Sequence, residues 1–232
     1  VWDLPVRIFH WSLALAFAGA YVLGESEHWR NVHVTLGYAV IGLLCFRLMW
    51  GFVGTHFARF RSFAYTPAQA LGYLLALIRG RARHYTGHNP AGSWAIYGLI
   101  ALGFATGLTG WLRYEDVGGE ALAELHEGAA NAWLALVGLH VLAVVGSSLL
   151  HRENLARAMV TGYKQGAPDE GIRSMAPVVG LALLLAIIVS VCGWLGWGST
   201  DPGPSGQGGG EDARASGGEQ DGMAGRRRID DD

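Results

Sequence analysis

The sequence predicts an all-α integral membrane protein, and three observations carry that expectation. Of the 232 residues, 51% are apolar and only 16% charged, against about 25% charged in an ordinary soluble domain. The uncharged positions fall in long blocks: residues 8–24, 84–112, 128–151 and 174–200 carry no charge, and 31–58 carry only Arg47. Nine tryptophans suit a chain that anchors at membrane–water interfaces. The net charge of −2 gives no electrostatic footprint for nucleic acid. The two cysteines, Cys45 and Cys192, lie in separate apolar runs, so they imply no disulfide framework.

A helix needs about 20 mainly apolar residues to cross the hydrocarbon core. Each block supplies that length, the first with its flanks. Five transmembrane helices are therefore expected, at about 6–24, 32–53, 93–113, 123–150 and 176–197. No small-residue cleavage site ends the first, which argues against a secretory signal peptide. The membrane bundle then occupies 1–197. Residues 198–232, rich in Gly, Asp and Glu, lack the apolar surface to fold and are expected to form a disordered tail. Between the second and third spans, Pro67 to Arg83 places Leu71, Leu74, Leu75 and Ile78 on one helical face with three arginines at its end. That pattern predicts an interfacial amphipathic helix, with His84 on its basic face.

Charge in the connections orients the bundle. Segment 54–92 holds Arg59, Arg61, Arg79, Arg81 and Arg83 and no acid; 151–175 adds Arg152, Arg157, Lys164 and Arg173. The opposite connections carry Glu25 and Glu27, then Glu115, Asp116, Glu120, Glu124 and Glu127. The positive-inside rule puts the amino terminus in the cytoplasm and the carboxyl terminus in the periplasm.

Four of the nine histidines sit at membrane depth, where an ionisable side chain marks a functional site by default. His126 and His140 are fourteen residues apart on one predicted helix. That is close to four turns, so both rings leave nearly the same face about 21 Å apart along the axis. His10 opens the first helix at its inner end, and His33 opens the second at its outer end. Depth pairs His10 with His140 and His33 with His126. Two bis-imidazole sites stacked across a bundle are what two b-type haems need, and such ligation leaves no open position on iron, so the haems carry electrons. The chain has no Cys-x-x-Cys-His, which excludes covalent c-type attachment. A single zinc or copper centre is disfavoured because the two depths spread the ligands too far. Arg47, fourteen residues after His33, either pairs with a haem propionate or snorkels to the inner interface; Arg7, one turn before His10, has the same two readings. His28 and His56 are expected in solvent. His151 either shuttles protons, holds a propionate, or sits at the interface without a role. His88 and Asn89 precede the third span in a turn that offers donors near the inner site, where a quinone carbonyl could dock.

These residues resemble the bacterial cytochrome b561 and nickel–iron-hydrogenase b-type cytochrome family. The likeness covers most of residues 1–165. It is carried by Trp2-Asp3-Leu4-Pro5 with Arg7, His10-Trp11, His33-Val34 with Gly37, Arg47, Gly87-His88-Asn89-Pro90-Ala91-Gly92, Leu125-His126-Glu127, Gly138-Leu139-His140 and His151-Arg152-Glu153-Asn154-Leu155. The resemblance implies a four-helix haem-binding transmembrane bundle that exchanges electrons with quinone, with His10, His33, His126 and His140 as the iron ligands. It also implies quinone at the cytoplasmic haem. The fifth helix and the tail lie outside its core.

The sequence thus leads to a dihaem b-type cytochrome of the bacterial inner membrane, a respiratory-chain electron carrier or a subunit of a quinone-linked oxidoreductase. It would pass electrons between a periplasmic-side partner, a c-type cytochrome or oxidoreductase subunit, and the quinone pool. Three other readings stand beside it. The first is a self-contained superoxide or ferric oxidoreductase. The second is a membrane anchor subunit of a hydrogenase-like complex. The third is a cation transporter, against which the charge-free stretches of the spans offer no acidic residue.

Overall fold

The computed structural model describes residues 1–165 and 171–198, with side chains described through Gly193. The expected tail lies outside the described residues. The described chain folds as helices: α1 (Leu4–Leu23), α2 (Arg30–Val53), α3 (Pro67–Ile78), α4 (Pro90–Tyr114), α5 (Gly119–His151), α6 (Leu155–Thr161) and α7 (Pro177–Gly198), with 3₁₀ turns at Glu27–Trp29, His56–Ala58 and Phe60–Phe63. Four helices, α1, α2 with its leading turn, α4 and α5, are long and apolar enough to cross a membrane. The chain is a multi-pass membrane helical bundle, and α7 adds a fifth apolar helix along α1.

Helix starts do not coincide with the edges of the charge-free blocks because caps set them. Asp3 precedes α1, and its Oδ1 accepts from the Val6 N–H (2.8 Å) while Pro5 occupies the first turn. Asn89 caps α4 by accepting from the Gly92 N–H (2.7 Å), with Pro90 at the first position. Both use the preference for a short polar acceptor followed by proline. Thr66 and Gln69 form a reciprocal capping box on α3, which satisfies two orphan amides. The amphipathic segment is helical only to Ile78. Arg79, Arg81, Arg83 and His84 follow in irregular chain, so His84 is not on that helix's basic face. Leu71, Leu74, Leu75 and Ile78 are exposed while Ala70 and Tyr73 are buried, as suits a helix lying at the membrane surface.

α1 packs on α2 and α7, α2 on α4, and α4 on α5, with α3 laid across α4 and α5. The core joins Phe9, Ala16 and Phe17 of α1, Val40, Leu43 and Leu44 of α2 and Trp133 of α5, flanked by Leu99, Ile100 and Phe104 of α4 and Leu183 and Ile187 of α7. Glycines set the close approach of α4. A Cβ on Gly103 would lie 2.7 Å from Leu44 and 2.8 Å from Trp133, and one on Gly107 would lie 2.6 Å from Ile41. Small residues at such spacing let helix backbones approach within a bilayer. α5 has 33 residues and a length of about 50 Å, well beyond a core of about 30 Å, so it carries acidic residues clear of the hydrocarbon at one end.

The end of the bundle that carries the amino terminus is held by one carboxyl group. Asp3 is 1% exposed, and its Oδ2 accepts from Trp50 Nε1 (2.9 Å) and Thr55 Oγ1 (2.6 Å). The capping residue of α1 therefore also fastens the end of α2. Substituting Asp3→Ala strands the indole and hydroxyl donors and uncaps α1. A loss of about 3 kcal/mol is expected, read as a clear fall in the circular-dichroism melting temperature of the detergent-solubilised protein; an unchanged melt would refute it.

Candidate functional site

The outer half of the bundle brings His33 of α2 and His126 of α5 together, ring centroids 6.2 Å apart and planes at 85°. Each ring is fixed from behind. His33 Nδ1 donates to Ala20 O (2.7 Å) and His126 Nδ1 to Thr106 O (3.0 Å). Thr109 Oγ1 adds a 3.2 Å contact to His126. A carbonyl only accepts, so both neutral rings carry their proton on Nδ1 and present a bare Nε2. The carbonyls have local reasons to be available. Ala20 lies in the last turn of α1, where carbonyls lose their helical partners, and the Gly24 N–H turns to Tyr21 O instead (3.3 Å). Gly110 stands one turn after Thr106, and a Cβ there would sit 2.8 Å from the His126 ring; only glycine admits the imidazole.

These residues line an apolar cavity of about 100 Å³ with Phe17, Gly37, Ile41, Gly107 and Trp133. A Cβ on Gly37, one turn after His33, would meet nothing within 4 Å. Two imidazoles bonded trans to one iron at about 2 Å have their centroids about 6 Å apart. The donor set, the spacing and the open space at Gly37 thus fit a bis-imidazole haem. Among the described residues no group of three or more His, Cys, Asp or Glu could hold a bare metal ion.

The inner half pairs His10 of α1 with His140 of α5 closely enough to interact electrostatically. Here the rings are less tied: His10 Nδ1 is buried without a hydrogen-bond partner. Arg47 is 4% exposed, so it does not snorkel to water. Its guanidinium lies 4.8 Å over the Phe60 ring with Nη1 unpartnered. Arg7 turns toward α6, where Nη2 donates to Val160 O, and its buried Nε has no partner. Buried donors without acceptors are rare in folded proteins. Their concentration here fits a site that receives an anionic or polar group.

His88 lies between Trp2 and Phe63, at centroid distances of 4.6 and 4.4 Å, with Nδ1 sealed and unpartnered. It interacts electrostatically with Arg47, Lys164 and His140. The Asn89 oxygen is committed to its cap, so only its amide N–H₂ is left to donate. His28 and His56 are exposed. His84 reaches Glu153 (3.2 Å) and stacks edge-on to His151 (5.2 Å). The sequence reading passed over Glu153, Lys164, Thr106 and Ala20. The two carbonyl acceptors carry no side-chain signal; Gly110, one turn after Thr106, is the trace they leave.

An α-helical membrane bundle with paired, carbonyl-oriented imidazoles defines a membrane b-type cytochrome. The chain belongs to the prokaryotic cytochrome b561 family, whose profile matches residues 1–162. It is similar to proteins named probable Ni/Fe-hydrogenase B-type cytochrome subunit from Bradyrhizobium diazoefficiens (22% identical, 71% of this chain and 85% of the relative), Rhodobacter capsulatus (23%, 73% and 82%) and Azotobacter vinelandii (25%, 73% and 89%). No solved structure matches.

Burial, reinforced by Arg47, Lys164 and His140, pushes the His88 imidazole from its ordinary 6.5 down to about 3. Because it binds fewer protons folded than unfolded, it adds stability above about pH 6.5 that is lost as pH falls toward 3. His88→Gln cannot titrate. Its melting temperature is expected to fall less steeply than the parent's between pH 6.5 and about 4; parallel slopes would contradict the assignment.

Proposed function

We propose that the chain carries electrons through two non-covalent b-type haems, one held by His33 and His126, the other by His10 and His140, between a redox partner at the outer face and quinone at the inner face. The observation that carries this reading is the His33–His126 pair: two rings 6.2 Å apart, each with Nδ1 committed to a carbonyl and Nε2 free. A carbonyl-bonded Nδ1 fixes the tautomer and ring plane of a ligating histidine and raises its basicity. Bound haem supplies one-electron transfer, and ligation through two imidazoles reserves it for that task. The residues around it orient, shield and balance charge. Gly37, Gly107 and Gly110 leave room for a flat group, Phe17 and Trp133 exclude water, and the unpaired donors of Arg47 and Arg7 suit the propionates of the inner haem.

The names of the relatives support a Ni/Fe-hydrogenase-type oxidoreductase as the outer partner, ahead of a periplasmic c-type cytochrome. The basic connections 54–92 and 151–175 support an inner-membrane protein with its amino terminus in the cytoplasm and carboxyl terminus in the periplasm. Quinone would sit beside His88, where a neutral imidazole and the Asn89 amide can donate to a carbonyl oxygen, and where cytoplasmic protons are at hand.

Pyridine haemochrome analysis and dithionite-reduced minus oxidised spectra of the purified chain test the scheme. Two haems per chain are expected. His140→Ala and His126→Ala should each retain about one, and Gly110→Ala, which displaces only His126, should lose the outer haem alone. A full spectrum from His140→Ala would break the inner pair, and no haem in the parent would overturn the reading.

A further inference from the structure

Behind His88 the structure gathers a second set of titratable groups that the four proposed ligands do not use. Glu153 follows the end of α5 and is 7% exposed, although it lies at the membrane edge. One carboxyl oxygen meets His84 Nε2 at 3.2 Å, and the other accepts from the Gln165 N–H at 2.5 Å. His84 is exposed and packs against His151, whose Nε2 is buried and unpartnered. Glu153 also interacts electrostatically with Lys164, which donates to Tyr85 O. Lys164 in turn interacts with His88. An exposed imidazole in contact with a buried carboxyl group thus lies within electrostatic reach of a half-buried amine, which in turn lies within reach of the sealed His88 imidazole.

We propose that Glu153 is a proton-relay residue, passing protons between water at His84 and the quinone pocket beside His88. The inference deepens the quinone reading and rests on it. Reducing one quinone to quinol takes two electrons, from the one-electron chemistry of the b-type haem, and two protons, one bonding to each quinone oxygen; quinol oxidation returns both. Asp3, the acid that adjoins Trp2, is already committed to the Val6, Trp50 and Thr55 donors, and the acids of α5, Glu120, Glu124 and Glu127, lie at its opposite end. A carboxyl group on the route offers a site that alternates between accepting and donating a proton. His84, His151 and Lys164 are the titratable groups that face it among the described residues, and burial lowers the Lys164 ammonium from its ordinary value. That amine is therefore the easier one to exchange a proton with Glu153 and His88.

The test uses the full-length haem-loaded protein in liposomes, with decylubiquinol as electron donor and stopped-flow haem reduction as the readout, from about pH 5.5 to 8.5. Glu153→Gln keeps the shape and an acceptor oxygen but cannot titrate. Its rate is expected to fall at least about tenfold, with a flattened pH profile, and Glu153→Asp should restore part of both. The pH dependence of the haem midpoint potentials, measured by spectroelectrochemistry without turnover, should weaken in the Gln variant, while haem content and melting temperature stay at parental values. A parental rate, or a parental potential–pH slope, in Glu153→Gln would overturn the relay. Should the Gln variant lose haem, His84→Gln at the surface is measured in its place, with the same two outcomes. A parent protein that decylubiquinol fails to reduce would overturn the quinone reading itself, which separates that failure from failure of the relay.

Discussion

Inside a bilayer an imidazole finds no water, so its polar atoms must be met by other groups in the bundle. The outer half of this bundle satisfies that constraint with backbone carbonyls, and much of the local architecture follows from it. His33 takes the Ala20 carbonyl left free in the last turn of α1, so α2 must start at a fixed height beside that end. His126 takes Thr106 O from the middle of α4, which requires α5 to cross α4 where Gly110 has no side chain. Two rings anchored on two different helices, α1 and α4, then face each other across a cavity lined by a third set of small residues. Each anchoring bond fixes a tautomer, and the pair of tautomers leaves a bare Nε2 on each of two rings that line one cavity.

The inner half is built on the opposite balance. There the polar atoms are not saturated within the protein: His10 Nδ1, Arg7 Nε, Arg47 Nη1 and His88 Nδ1 are all buried without partners. Leaving so many donors unpaired costs stability, typically about 1–3 kcal/mol each for a fully buried group. Two more, Thr106 Oγ1 and Trp133 Nε1, line the cavity of the other half. A charged or carbonyl-bearing guest would accept from the inner donors, which supports the proposal that propionates and quinone bind there. Asp3 holds this end together meanwhile. By capping α1 and accepting from Trp50 and Thr55, it fixes α2 beside the start of α1 and so sets Arg47 within its own electrostatic reach.

Most of the fold was legible because the bilayer imposes a crude signal. Charge-free length locates α1, α2, α4, α5 and α7 to within a few residues at each end. The signal fails where capping chemistry decides. α4 begins at Pro90 because Asn89 caps it, and α6 is a seven-residue helix whose start is fixed by Asn154 bonding the Arg157 N–H (2.8 Å), with no charge-free run to announce it. The histidine pairing was legible for a different reason: a four-turn interval survives projection onto a straight helix, and alternating topology fixes depth. Side-chain direction was not. Arg47 could have snorkelled on spacing alone, and only packing against Phe60 decides that it stays buried. His84 was assigned to a helix that stops six residues earlier. Its approach to Glu153 spans 69 positions in sequence and left no local pattern to read.

The contrast between the two halves also bears on direction. The outer pair sits among apolar walls with every Nδ1 satisfied, an environment that resists the arrival of charge or protons. The inner pair adjoins arginines and, through His88, reaches a buried lysine and a carboxyl group that meets an exposed imidazole. Electron transfer to quinone must be matched by protons, whereas transfer between two haems or from a protein partner need not be. A bundle with one dry end and one proton-connected end is therefore suited to exchange electrons alone at the first and electrons with protons at the second. The same asymmetry appears in the connections, where acidic residues gather at the His33–His126 end and basic ones at the other, as both the proposed orientation and the proposed relay require.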